Sequence, residues 1–283
     1  MQSFYNFRIE SKPVPIKMSK PSESKENRLI TLLTTRTLRK VPEITIFFWI
    51  IKILTTALGE STSDYLVHHI DPVLAVVFGL IGFAIAMALQ FMVRRYIPWI
   101  YWFAVTMVAL FGTMAADVIH IVLKVPYAIS TGFFAVVLAI IFIIWYQVEH
   151  TLSIHSIHTP RREIFYWIAV IATFALGTAA GDWTAITLKL GFLTSGVLFA
   201  ILFAIPAIAY WKFRLNGIIA FWFAYIMTRP FGASFADLLG KAKDAGGLGY
   251  GNGLVGAVLL ILIVGFVSFL AVTRKDSQGD PSK

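Results

Sequence analysis

Residues 49–64 read WIIKILTTALGESTSD. The stretch is apolar enough to enter a membrane, yet it carries Lys52, Thr55, Thr56, Glu60 and Asp64. Three later segments keep the same frame: WFAVTMVALFGTMAAD at 102–117, WIAVIATFALGTAAGD at 167–182 and WFAYIMTRPFGASFAD at 222–237. All four obey Trp-x9-Gly-x4-Asp without a gap. The frame aligns Trp49, Trp102, Trp167 and Trp222, then Gly59, Gly112, Gly177 and Gly232, then Asp64, Asp117, Asp182 and Asp237. Aspartate is scarce in this chain, so its return at one aligned position marks an internal repeat.

The surrounding composition says where such a repeat would live. Of 283 residues, 58% are hydrophobic and only 14% are charged, too little to wet the surface of a soluble protein of this length. Eight apolar segments follow, at about 44–66, 73–93, 98–119, 127–148, 164–185, 190–211, 217–239 and 254–273. Each is near the ~20 residues that cross a bilayer. The expected fold is therefore an all-α membrane protein of eight transmembrane helices. Each repeat is a motif helix followed by a plainer return helix. A unit that crosses twice re-enters from the same side, so the four two-helix repeats are expected to be parallel about an axis along the membrane normal. One ring of four and two nested pairs both satisfy that expectation. The repeats divide as 41–97, 98–160, 161–214 and 215–273.

Charge sets the orientation. Arg94, Arg95, Arg161, Arg162, Lys212 and Arg214 fall in alternate connections, on the side of the N-terminal arm and of Arg274 and Lys275. The other connections hold only Lys124, Lys189, Lys241 and Lys243. The positive-inside rule puts both termini in the cytoplasm. Residues 1–40 hold nine Lys/Arg against three Glu and read as a basic, disordered cytoplasmic arm for anionic lipid headgroups, with 274–283 as a cytoplasmic tail. No apolar run follows the first charges, so no signal peptide is expected, and nucleic acid is not an expected partner.

The repeat organisation resembles a bacterial integral-membrane family of unknown function, built from four tandem two-helix repeats with a characteristic tryptophan. The resemblance spans about residues 41–273, and KVPEITIFFWIIKILTTALGESTSD is similar to that family's first repeat. It implies a multi-pass protein of the bacterial inner membrane and brings no activity or ligand.

Function is then read from the polar residues. At 100° per residue, Lys52, Thr56, Gly59, Glu60 and Asp64 lie with Trp49 in an arc of about 140°. The stripe faces protein rather than lipid, and its glycine lets a neighbour approach closely. The four tryptophans suit an interfacial aromatic belt, although their place on the stripe also allows inward packing. Around the four Asp, Gly, Thr and Ser cluster, so the helices are expected to kink or unwind there and free carbonyl oxygens.

An acid at mid-membrane depth is costly, and only the first repeat has one beside its glycine, Glu60. The fourth repeat departs to match, with Arg229 before Pro230, a proline expected to bend its helix. Arg229 can pair with Glu60 or gate a path, and Lys52 is a second counter-charge. Thr56 and His120, three residues beyond Asp117, complete the expected cation or proton pathway of Glu60, Asp64, Asp117, Asp182 and Asp237. As metal ligands the reading names Glu60, Asp64, Asp117 and His120, with His68 and His69 nearby. Glu149, His150, His155 and His158 read as loop residues, and the glycines of 245–253 as a turn without a phosphate role.

No cysteine is present, which excludes disulfides and thiolate chemistry. Carboxylates and hydroxyls are hard oxygen ligands, so the expected function is transport of a small cation, most readily a manganese-like divalent metal, with proton coupling through Glu60 and Asp64. The alternative is a non-transporting sensor or scaffold whose polar stripe is interhelical glue. An enzyme is not expected, because no nucleophile or metalloprotease pattern is visible, and no resident cofactor is implied beyond a possible divalent ion.

Overall fold

A computed structural model describes residues 39–276. Among them there are eight long helices and no strand. They are α1 (Ile46–His69), α2 (Pro72–Met92), α3 (Pro98–Asp117), α4 (Tyr127–Glu149), α5 (Pro160–Asp182), α6 (Gly191–Phe213), α7 (Gly217–Gly240) and α8 (Asn252–Thr273). The eight expected segments correspond to these helices, with the largest shift at α5, which begins at Pro160. Local chemistry sets their starts. Thr45, Asp71, Thr159 and Asn216 each accept a hydrogen bond from a first-turn amide, and Pro72, Pro98 and Pro160 supply a fixed φ where no N–H is needed. Basic residues with positive φ follow the helix ends: Lys124, His150, Lys189, Arg214 and Arg274. A cation there faces the negative end of the helix dipole.

Seven of the eight helices, α2 to α8, are long and apolar enough to cross a membrane. The exception is α1, whose Lys52, Glu60 and Asp64 lower its hydropathy. Those side chains are buried or half-buried, because α1 is flanked by other helices. It packs against α3, α7 and α8.

The four motif helices form a closed ring in the order α1, α3, α5, α7, with α7 returning to α1. Each return helix packs mainly on the next motif helix, α2 on α3, α4 on α5 and α6 on α7, and α8 closes the cycle on α1. The sequence left ring and nested pairs open; the contacts choose the ring. The repeat glycines are its seams. A Cβ on Gly59 would lie 2.6 Å from that of Ala109 on α3, and one on Gly112 would lie 3.3 Å from Phe174 Cβ on α5. On Gly177 it would lie 2.6 Å from Arg229 Cβ on α7, and on Gly232 3.0 Å from the Ile53 carbonyl on α1. Every glycine thus abuts the next motif helix in turn, the close approach that small residues permit.

Two expectations are corrected. The tryptophans do not form an interfacial belt: Trp102, Trp167 and Trp222 are 1%, 2% and 4% exposed. Trp49 is half-buried against Phe203 and Phe221. Unwinding near the Asp residues occurs in two repeats only. A π-turn follows Asp117 at Val118–Val122 and another follows Asp182 at Trp183–Thr187, whereas α1 and α7 stay α-helical past Asp64 and Asp237, α7 continuing through Pro230.

The basic arm also needs a boundary change. Residues 1–38 and 277–283 lie outside the described residues, and the anionic-lipid expectation falls there. Arg39 and Lys40, however, belong to the bundle. Lys40 is buried, its Nζ 2.5 Å from Glu163 Oε2, while Gln90 Nε2 donates to Glu163 Oε1 at 3.0 Å. Beside them the Tyr96 amide donates to the Arg39 carbonyl at 2.7 Å, and the Glu43 amide to the Asp276 carbonyl at 2.9 Å. Tyr96 also gives its hydroxyl proton to Asp276, whose carboxyl burial pushes above its ordinary pKa. Both described ends of the chain are therefore tied at one end of the ring.

Because the Gly59 seam is backbone against backbone, Gly59→Ala should cost about 1–3 kcal/mol. Gly132→Ala, with nothing within 4 Å of the added methyl, should cost none. Thermal unfolding in detergent compares the two; equal melting temperatures would contradict the seam.

Candidate functional site

The ring has two unlike ends. At the Trp end its interior is filled by Phe48, Tyr101, Trp102, Tyr166, Trp167, Phe221 and Tyr225, all buried. The rings contact one another in tilted and edge-on pairs, and the Tyr101 and Tyr166 hydroxyls meet at 2.5 Å. These are the position before each repeat tryptophan, the tryptophans of repeats two and three, and Tyr225. They close the interior with apolar and phenolic surface.

Next along the axis is Lys52, 1% exposed. Its Nζ lies 4.0 Å from the Phe174 ring centre and 4.4 Å from that of Tyr225. No carboxylate among the described residues comes within ion-pair distance of it, so the faces of these two rings are the contacts around Nζ. One level further, Arg229 Nη2 donates to Glu60 Oε2 and to Thr113 Oγ1, both at 2.6 Å. This pair joins the first and fourth repeats and is buried on both sides. Arg229 Nε and Nη1 make no hydrogen bond. Thr56 has a structural place, its hydroxyl donating to the Ile53 and Thr228 carbonyls across the α1–α7 seam.

The carboxylates gather at the Asp end. Glu60, Asp64 and Asp237 each offer an oxygen within 4.8 Å of the others, the one such set of possible metal ligands among the described residues. Oxygens that close can share one ion at ~2.1–2.5 Å. Lys241 stands between two of them, its Nζ 3.2 Å from Asp237 Oδ1 and 3.7 Å from Asp64 Oδ2. Burial works against the Lys241 charge, but Asp237 and Asp64 outweigh it and hold its pKa above the ordinary lysine value. Asn252 Nδ2 donates to Asp64 Oδ2 at 3.1 Å. Asp117 and Asp182, half-buried, stand outside the set of three but share its field: Glu60 acts electrostatically on each of the four Asp.

The imidazoles do not join. The His120 Nδ1 proton goes to the Val125 carbonyl at 3.1 Å, Nε2 faces Ser130 Oγ at 3.5 Å, and the ring packs on Tyr127. A π-turn follows Asp117, His120 turns to its own loop, and the expected ligand set of Glu60, Asp64, Asp117 and His120 is not the set assembled among the described residues. His68 and His69 bond the Asp64 and Tyr65 carbonyls of their own helix. At the other end, Glu149 pairs with Arg161 and Arg162, and His155 approaches Glu43 at 3.5 Å. A separate pocket of about 190 Å³ among α2, α3, α4 and α5, lined by Phe83, Phe111, Ile119 and Phe134, is almost wholly apolar and holds none of the carboxylates.

Lys241, Asn252 and Phe174 were not foreseen as site residues. Lys241 had a readable signal, the i,i+4 spacing from Asp237. Asn252 and Phe174 had none, since tertiary packing alone brings them in.

These features define a multi-helix, membrane-type protein made of one repeated unit with a polar interior. Four stretches, 47–96, 100–151, 165–216 and 220–276, match the family model described as Repeat of Unknown Function (DUF347), and the chain belongs to that family. No curated protein and no solved structure matches it.

The Glu60–Arg229 pair carries a direct test. Glu60→Gln or Arg229→Met strands one buried charge and should each cost about 3–5 kcal/mol. The double variant should be far less unstable than the sum of the two. A double-mutant cycle of unfolding in detergent measures this, and additive losses would show that the pair is not coupled.

Proposed function

We propose that this protein carries a small cation, most readily a divalent one on oxygen ligands, across the bacterial cytoplasmic membrane. The observation that carries the reading is the convergence of Glu60, Asp64 and Asp237 inside the ring. Charge supports it. Five carboxylates, Glu60, Asp64, Asp117, Asp182 and Asp237, share the interior with Arg229 and Lys241, which are ion-paired, and with Lys52, which is buried without an ion pair among the described residues. With all of them ionised the interior lacks two positive charges, which one divalent ion or two protons would supply. A deficit of that size in low dielectric favours an incoming cation. Proton coupling follows from the same sharing, because a carboxylate binds metal only when deprotonated.

In this reading α1 is the eighth span, kept from lipid by its neighbours, and the four motif helices run the same way. The successive glycine seams and the gathering of aligned aromatics at one end support that arrangement. By the positive-inside rule the arginine-rich connections favour a cytoplasmic Trp end with both termini on that side. The aromatic plug then closes the path inside, and the half-buried Asp64, Asp117 and Asp182 mark a mouth on the outer side. The protein acts as a carrier, not as an enzyme.

One observation favours a second reading, a scaffold or sensor with no flux: Glu60 and Asp237 already have cationic partners. Flux separates the two. Purified protein in liposomes should admit Mn²⁺ or a related divalent ion, and folded Glu60→Gln should slow that uptake. Vesicles that stay impermeable to a panel of divalent and monovalent cations would overturn the transport reading in favour of the scaffold.

A further inference from the structure

Lys241 differs from the other basic residues of the interior in its access to water. It is 28% exposed at its side chain, whereas Lys52 and Arg229 are 1% exposed, so water reaches it. Its backbone is held at the helix end: the Lys241 amide donates to the Asp237 carbonyl at 3.0 Å, and its carbonyl accepts from the Gly249 amide at 2.9 Å. The Phe192 ring lies 5.1 Å from Nζ, a second lodging for an ammonium just beside the first. The repeat frame isolates it further. Four residues beyond the aligned Asp, repeats two and three have Ile121 and Ile186, repeat one has His68, and repeat four has Lys241.

The contact it makes is incomplete. Asp237 is 4% exposed, and its Oδ1, although 3.2 Å from the Lys241 ammonium, makes no hydrogen bond. A buried carboxylate oxygen with an ion contact and no hydrogen bond retains lone pairs for a closer ligand. The other groups facing the same space are Glu60 and Asp64 of α1, with Asn252 of α8 on Asp64. Arg229 is committed to Glu60 and Thr113.

We propose that Lys241 is a tethered counter-ion that holds the cation site until a divalent ion displaces it, and that this competition excludes monovalent ions. The inference rests on the transport reading above and adds a selectivity mechanism to it. A sodium or potassium ion would replace one unit charge by another and gain no Coulomb energy, while competing with an ammonium kept at high effective concentration by its own backbone. A divalent ion doubles the attraction to Glu60, Asp64 and Asp237 and offsets the loss of the ammonium. The displaced side chain turns toward Phe192 and solvent.

Equilibrium binding of Mn²⁺ to the full chain in detergent tests this, in sodium-free buffer and again with excess Na⁺. Lys241→Met should bind Mn²⁺ at least about tenfold more tightly, the gain expected if the ammonium occupies the site nine-tenths of the time. It should also become sensitive to Na⁺, which leaves the wild type unaffected. Lys241→Arg should behave as wild type, and Lys241→Gln should repeat the Met result if the Met variant unfolds. A wild type that binds Mn²⁺ with Lys241→Met and Lys241→Gln no tighter overturns the inference and leaves the transport reading standing. Absence of Mn²⁺ binding in the wild type and in folded Lys241→Met overturns both.

Discussion

Helix-to-helix contact at the repeat glycines is the constraint on which the rest depends. Four helices enclose a common interior only if each lies close to the next and the last lies close to the first. The Gly59, Gly112, Gly177 and Gly232 seams meet that condition in order, with α7 returning to α1. Once the ring is closed, the stripe of each motif helix has nowhere to face but inward. The return helices then cover the outer surface, each displaced by one position onto the following repeat. The sequence repeat and the packing unit are therefore offset: a return helix stabilises its successor's motif helix more than its own.

Closure also decides the electrostatics. Repeats two and three keep small or hydroxylated residues at the glycine level, whereas repeats one and four carry Glu60 and Arg229. A linear array would leave those two charges at opposite ends. The ring makes them neighbours, bonded at 2.6 Å. One turn beyond the aspartates, His68 lies near the end of α1 and Lys241 caps the end of α7. Polar specialisation is thus confined to one seam, and the other two motif helices contribute Asp117, Asp182 and the π-turns that follow them. The interior is thus graded, aromatic at one end and carboxylate-rich at the other.

Much of this was legible in the chain. The eight segments followed from hydropathy and length, and the inward stripe followed from helical periodicity through Lys52, Thr56, Glu60 and Asp64. What the sequence could not convey was contact between distant segments. Nothing in the spacing distinguishes a ring from two pairs, because both keep the same repeat frame. His120 is ambiguous in the sequence, because a three-residue spacing from Asp117 gives a shared face only while the helix stays α, and a π-turn begins after Asp117. The tryptophans are ambiguous for a physical reason: an amphipathic indole suits an interface and a packed aromatic cluster equally well. Asp237 was one of four equivalent aspartates in sequence, yet it is the one brought beside Glu60 and Asp64.

The lack of native cysteine allows the central claim to be tested on the chain itself. Single cysteines placed as Asp117→Cys, Asp182→Cys and Tyr166→Cys can be challenged in oriented vesicles with a charged, membrane-impermeant thiol reagent. A closed ring with an acidic mouth and an aromatic plug predicts labelling at the two aspartate positions from the outer side only, slowed by Mn²⁺, and none at Tyr166 from either side. Labelling of Tyr166→Cys from the cytoplasmic side, or silence at both aspartate positions, would contradict it.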